Sequence, residues 1–208
     1  MTGRYEATQL NNPRPRPRRR RKLSKRQEFV RGLDAIYIVA LILSLYMMVF
    51  RVVVVVGPSM YDTLIQGDRL LLVSSLLYHE PKQGDIVVCS KNDFDGGKCF
   101  VKRVIATEGQ EVFIDFENSL VYVDGVLLDE PYVYSPTERE EGIEFPVTVG
   151  DGQIFVLGDN RERSLDSRSP QIGLVDTRQI VGKAIFILSP GDNGGTERPQ
   201  WSRIGWIG

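Results

Sequence analysis

The longest apolar stretch of the chain covers residues 35–50, where Ser44 is the one clearly polar residue. As a helix, sixteen such residues rise about 24 Å, somewhat short of the roughly 30 Å of a bilayer core. Extending the run back to Phe29, or forward through Arg51 with its guanidinium snorkelling outward, makes up the difference. We place the membrane span at 33–51. A helix buried in a soluble core would show a polar stripe of period 3.6, and none is visible here. The five valines at 52–56 suit a strand, because branched Cβ atoms lose freedom in a helix and fit a pleated surface; they begin the soluble domain.

Beyond position 56 the pattern shortens. Apolar-rich runs at 69–73, 85–90, 100–106, 111–115, 120–123, 153–157 and 182–188 read as strands. Turn signals separate them, among them Gln83-Gly84, Asp95-Gly96-Gly97, Glu108-Gly109, Asp124-Gly125 and Gly158-Asp159-Asn160. No long amphipathic helix follows the span. The expected fold is mainly β: antiparallel sheets in a partly closed β-barrel with a small satellite region, preceded by one transmembrane α-helix. The organisation reads as a basic tail over 1–32, the span over 33–51, a β domain over 52–189, and a linker with an aromatic tail over 190–208. Residues 190–199, rich in Gly and Pro, read as a flexible link, and Trp201, Ile204, Trp206 and Ile207 either pack on the barrel or lie in a membrane interface.

Charge gives the chain a direction. Residues 13–31 carry ten Lys/Arg against Glu28 alone, whereas the chain after Arg51 has 14 basic and 24 acidic residues. The positive-inside rule then puts the N-terminus in the cytoplasm and 52–208 outside the plasma membrane. The arginine run could contact nucleic acid through counterion release, but its place beside the span makes topology the simpler cause, and no nucleic-acid partner is expected. A cleavable signal has a shorter core ending in small residues; this one ends Tyr46-Met47-Met48-Val49-Phe50-Arg51, which favours a retained anchor. Pro13, Pro15 and Pro17 keep the tail extended and unfolded.

Composition narrows the chemistry. Two cysteines, Cys89 and Cys99, and one histidine, His79 in a surface turn, are too few for an ordinary structural zinc site. Neither a phosphate loop nor a dinucleotide fingerprint is present. Asp93-Phe94-Asp95-Gly96 lacks the later ligands of a calcium loop and reads as a solvated turn. No metal and no cofactor are expected. Cys89 and Cys99 flank a turn and could form a cross-hairpin disulfide in an oxidising exterior; the register that decides this is not legible.

On the strand over 100–106, Lys102 shares a face with Phe100, Val104 and Ala106, and Arg103 shares the other with Val101 and Ile105. One cation must therefore sit among apolar neighbours. Lysine can respond by losing its proton, whereas arginine stays charged, so Lys102 is either a snorkelling side chain or a general base. Ser59, in Gly57-Pro58-Ser59-Met60, is either an ordinary turn serine or a nucleophile exposed by an unusual backbone path. With His79 in a turn, no Ser/His/Asp triad is available, and an active Ser59 would need lysine as its base. Asp159, Arg161, Arg163, Asp166 and Arg168 alternate in sign after an apolar strand, as an ion-paired brace or a solvated turn would.

Four ordered motifs join these residues: G-x-S-M-x-x-T-L over 57–64, G-D-I-V over 84–87, V-K-R-V-I-A over 101–106, and G-D-N-R-x-x-S-x-D-S-R over 158–168. Together with the tail and span they resemble the type I signal peptidases over nearly the whole chain, in particular the shorter Gram-positive-like forms. The resemblance implies a Ser/Lys serine endopeptidase that removes signal peptides from secretory preproteins after an Ala-x-Ala-like sequence, the peptide lying as an added strand on a sheet edge. It implies Ser59 as the acylating nucleophile and Lys102 as general base, with Ser164 orienting the amine and Arg103, Asp159, Asp166 and Arg168 bracing the site. The Ser59 N–H would supply an oxyanion donor. Some relatives have a serine two positions before the nucleophile as a second donor; this chain has Gly57. Asp62 and Glu108 stand where prolines are common. A peptidase dedicated to one pilus or conjugation precursor, or a non-catalytic tethered module, are the competing readings.

Overall fold

The computed structural model describes residues 25–91, 96–195 and 198–207. The proline-rich tail segment at 13–17 and most of the turn at 93–96 lie outside the described residues. The described residues divide into two compact units, one up to Ile42 and one from Leu43. Helix α1 is Lys25–Val49; its stretch Val30–Val49 has a mean hydropathy of 2.1, long and apolar enough to cross a membrane, and none of it is buried. Strand β1, Phe50–Val54, begins at the next residue, inside the span as placed from hydropathy. Phe50 and Arg51 are drawn into the sheet by pairing with Val73 and Leu72.

The remaining strands are β2 (Arg69–Ser74), β3 (Ile86–Ser90), β4 (Cys99–Thr107), β5 (Glu111–Asp115), β6 (Leu120–Val123), β7 (Val126–Leu127), β8 (Val147–Thr148), β9 (Gln153–Leu157), β10 (Val175–Asp176), β11 (Ile180–Ser189) and β12 (Gly205–Trp206). The protein is mainly β, with antiparallel sheets and one N-terminal apolar helix, as the pattern predicts. The main sheet runs β1-β2-β11-β3-β4-β9-β10, with β12 on β11; the satellite sheet runs β7-β6-β5-β8 and is inserted between β4 and β9.

A bulge in β4 between Val104 and Ala106 breaks the strict alternation expected there. Phe100 and Val104 pack in one cluster with Val87 and Ile154, whereas Ile105 and Ala106 join Phe155, Leu157 and the inner side chains of β5 and β6. The extra residue thus lets one strand serve two cores.

At the ends of elements one alternative left open is decided and one expectation is corrected. Cys89 lies opposite Phe100 and Cys99 opposite Ser90, so the thiols point to opposite faces; both are free. The start of the link over 190–199 is packed: Pro190 and Gly191 are buried, the Gly191 N–H donates to Asp68 Oδ1 at 2.7 Å, and the Asn193 N–H donates to the Gln66 carbonyl at 3.1 Å. A buried carboxylate that needs donors overrides the Gly/Pro composition. Trp206 meets Phe186 edge-on at 5.4 Å while staying 79% exposed, so the tail packs on β11 through one side only.

Candidate active site

Ser59 sits in a loop whose two ends are tied together: the Val55 N–H donates to the Asp68 carbonyl, and the Gly67 N–H to the Val55 carbonyl, both at 2.9 Å. Gly57 turns the chain at φ +88°, a region open to glycine, and Pro58 restricts the next step. Met60 and Leu64 are fully buried, each burial contributing roughly 1.5–3 kcal/mol, so the residues after Ser59 are rooted in the core. Ser59 itself is half-buried, and its own N–H has no hydrogen-bond acceptor among the described residues.

Strand β4 brings Lys102 to this loop. Its Nζ donates to Ser59 Oγ at 2.9 Å and to the Val101 carbonyl at 3.1 Å, and lies 6.0 Å from the centre of the Phe100 ring. Lys102 is 3% exposed. Burial pushes its pKa down to about 8, against the opposing pull of the nearby Asp166 and Asp159 carboxylates. A hydroxyl held by an amine so tuned is chemically able to act as a nucleophile on a carbonyl.

Ion pairs surround the two side chains. Arg103, next along β4, donates Nε and Nη2 to Asp159 at 2.9 and 2.7 Å, and Nη1 to the Gly84 carbonyl at 3.0 Å; its guanidinium lies 3.8 Å over the Tyr132 ring. Thr63 Oγ1, on the Ser59 loop, donates to the same Asp159 carboxylate at 2.5 Å. Asp166 accepts from Arg168 Nε at 2.8 Å and from the Gly158 N–H at 3.1 Å. Arg168 Nη2 donates to the Arg161 carbonyl at 2.7 Å, and Arg161, itself fully buried, pairs with Glu130. Of the alternating charges in this segment Arg163 is the exposed one.

Ser164 is buried, and its Oγ has no hydrogen-bond partner among the described residues; the structure does not pair it with Lys102. It lies against Gly158, where an added Cβ would fall 2.2 Å from Ser164 Oγ and 2.5 Å from the Ser59 carbonyl oxygen. Only glycine lets the backbone pass between the two serines.

Several contributors are not among the residues singled out from the sequence. The Asn160 N–H donates to the Ser59 carbonyl at 3.0 Å and its Nδ2 to the Pro58 carbonyl at 3.2 Å, while Ser135 Oγ donates to Asn160 Oδ1 at 2.9 Å. Asn160 stands inside the fourth motif but carries no charge to mark it. Thr63 is a fixed position of the first motif, though nothing local marks its partner 96 positions away; Glu130 and Tyr132 give no local signal, and their partners lie 31 and 29 positions away.

A cleft of about 350 Å³ opens at Ser59 and Lys102, lined by residues 53–60 and 98–102 together with Val88 and Leu165. Among the described residues no group of three His, Cys, Asp or Glu side chains stands close enough to hold a metal ion.

Residues 27–189 match the signal peptidase family, peptidase S26. The chain belongs to that family. It is similar to the "Probable signal peptidase I-1" of Synechocystis sp., 35% identical over 86% of this chain and 88% of that protein. It is also similar to signal peptidase I S of Bacillus subtilis, 34% identical over 81% of this chain and 93% of that protein. A solved signal peptidase I from Enterococcus faecalis V583 aligns at 29% identity and a TM-score of 0.41, covering 50% of this chain and 96% of that one. The activity is accordingly that of signal peptidase I, a serine endopeptidase that cleaves signal peptides from preproteins during secretion. The apolar N-terminal helix and this homology point to membrane anchoring.

Proposed function

We propose that this signal peptidase works through Ser59 and Lys102. The 2.9 Å contact between Lys102 Nζ and Ser59 Oγ, with the lysine almost wholly buried, is the observation that carries the reading. In the neutral amine the contact reverses its sense: Ser59 Oγ donates, and Lys102 takes the proton as the oxygen attacks the scissile carbonyl. The oxyanion is received by the unused Ser59 N–H. Lys102 then passes the proton to the leaving amine, leaving an acyl ester on Ser59. A water deprotonated by Lys102 hydrolyses the ester and restores the serine. The ammonium of Lys102 has three donors, two of which go to Ser59 and Val101; the unpaired Ser164 hydroxyl is a suitable partner for the third.

Arg103, Asp159, Asp166 and Arg168 hold the Gly158 turn and β4 in register around the pair. Gly57 is the turn that presents the serine. The cleft is lined by Val54, Val56, Phe100 and Leu165, which suits an extended peptide with small residues before the cut, of the Ala-x-Ala kind, laid beside β1 as an added strand. The basic run over 13–31 orients the helix with its N-terminus in the cytoplasm, which leaves residues 52–208 on the outer side of the plasma membrane, where secretory preproteins emerge from the lipid bilayer.

The test is cleavage of a purified preprotein by the full chain in detergent, beside Ser59→Ala and Lys102→Met. Both variants are expected to lose cleavage by a factor of about 10³ or more. Maturation by either at the wild-type rate would falsify the pair. A panel of unrelated preproteins in the same assay separates a general peptidase from one dedicated to a single pilus or conjugation precursor.

A further inference from the structure

The family match stops at residue 189, yet the segment beyond it returns to the loop that carries Ser59. Arg203 is the point of contact. Its Nη1 donates to Asp68 Oδ1 at 3.0 Å and its Nη2 to the Thr63 carbonyl at 2.8 Å. Asp68 is fully buried and also accepts from the Ile65 N–H at 2.8 Å and the Gly191 N–H at 2.7 Å. The same Thr63 donates its hydroxyl to Asp159, which pairs with Arg103, the residue after Lys102. A continuous path of hydrogen bonds therefore runs from the tail, through the back of the Ser59 loop, to the strand that carries the lysine.

Close packing reinforces the contact. A Cβ on Gly191 would lie 2.2 Å from the Gln66 carbonyl oxygen and 2.5 Å from the Asp68 nitrogen, so the tail's backbone lies directly against the loop's base. Asn160 grips the loop before Thr63, at Pro58 and Ser59, while Arg203 grips it at Thr63 and Asp68.

We infer that Arg203 is a positioning residue for the reaction: its forked guanidinium clamps the rear of the Ser59 loop and sets Ser59 Oγ against Lys102. The inference rests on the Ser59/Lys102 reading. Two donors held in a planar fork and aimed at two acceptors are what a guanidinium supplies; a lysine ammonium carries its three donors on one nitrogen and has no rigid fork to hold the Thr63 carbonyl and Asp68 in that geometry. Small displacements of a nucleophile cost large factors in rate, so the loss should fall on kcat rather than on KM.

The test compares Arg203→Ala, Arg203→Lys and wild type as full chains in detergent, measuring kcat, KM and Tm on one preprotein, with Ser59→Ala as a blank. Arg203→Ala should lose about tenfold in kcat with KM within about twofold, and added guanidinium ion should restore part of it. Arg203→Lys keeps a cation at Asp68, so its Tm should stay within about 2 °C of wild type while kcat still falls severalfold. That separation of rate from stability is what a merely structural arginine would not produce, and it decides the matter even if the alanine variant does not fold. Wild-type kcat in Arg203→Lys, or a loss confined to KM, overturns the clamp and leaves the Ser59/Lys102 pair standing. Residual cleavage by Ser59→Ala at the wild-type rate would instead sink the pair.

Discussion

Asn160 holds Ser59 by its main chain: the Asn160 N–H donates to the Ser59 carbonyl at 3.0 Å, and the Asn160 side chain reaches the preceding carbonyl, that of Pro58, at 3.2 Å. Two successive peptide planes are fixed from one residue, and the free Ser59 N–H is thereby aimed without being consumed. Asn160→Ala keeps the first bond and removes the second, along with the acceptor of Ser135 Oγ. We predict a fall of about tenfold in kcat/KM and a stability loss of about 1–2 kcal/mol, read from preprotein cleavage and thermal unfolding. An unchanged rate would show that the backbone bond alone positions the serine.

In the proposed mechanism Lys102 must be neutral to accept the serine proton, and its pKa is pushed down to about 8 by burial. Below that value kcat/KM should fall about tenfold per pH unit, since the reactive fraction is the deprotonated one. Above it the profile should flatten. A profile between pH 6 and 10 with no inflection near 8 would mean that another group limits the rate.

The same burial has a cost to folding. In the unfolded chain the lysine titrates near 10.5, so below pH 8 the folded protein carries a buried cation at a penalty of roughly 3 kcal/mol, which disappears as pH rises from 8 towards 10.5. Lys102→Met removes the charge and keeps most of the volume, at the loss of the hydrogen bonds to Ser59 and to the Val101 carbonyl. The variant should be inactive and melt a few degrees above wild type at pH 7, with the gap closing as pH approaches 10. A lower Tm at pH 7, or a gap independent of pH, would contradict the desolvation account.

Strands with strong local patterns were readable in sequence, and what depended on distant partners was not. The runs at 111–115, 120–123 and 153–157 coincide with β5, β6 and β9, because branched and aromatic residues between Gly- or Asn/Ser-containing turns leave little choice of bounds. That β11 inserts between β2 and β3 has no local signature; it follows from Gly182, where an added Cβ would lie 2.4 Å from the Val73 carbonyl oxygen, and from core packing across the sheet. Ser59 and Lys102 stand out by motif and by an unusual cation on an apolar strand; Asn160 and Thr63 lie in the motifs too, but their roles, like that of Glu130, emerge only when the fold brings them to a carbonyl, a carboxylate and a buried arginine. The tail misled most: Gly and Pro read as a link, and the buried carboxylate of Asp68 that organises it lies over a hundred positions earlier.

The two thiols differ in a way that allows the cleft to be probed. Cys89 is buried, and burial pushes its pKa up to about 12; Cys99 is exposed and lines the cleft of Ser59 and Lys102. A maleimide reacts with thiolate, so at pH 7 it should modify Cys99 and leave Cys89 untouched in the folded protein. A bulky adduct at Cys99 would occupy the cleft proposed to receive the peptide, and cleavage should then drop at least tenfold in step with labelling, through KM as much as kcat. Cys99→Ser should cleave as wild type does and resist the reagent. Labelling of Cys99 that leaves cleavage intact would place the peptide elsewhere than along residues 98–102, and the added-strand geometry beside β1 would have to be abandoned.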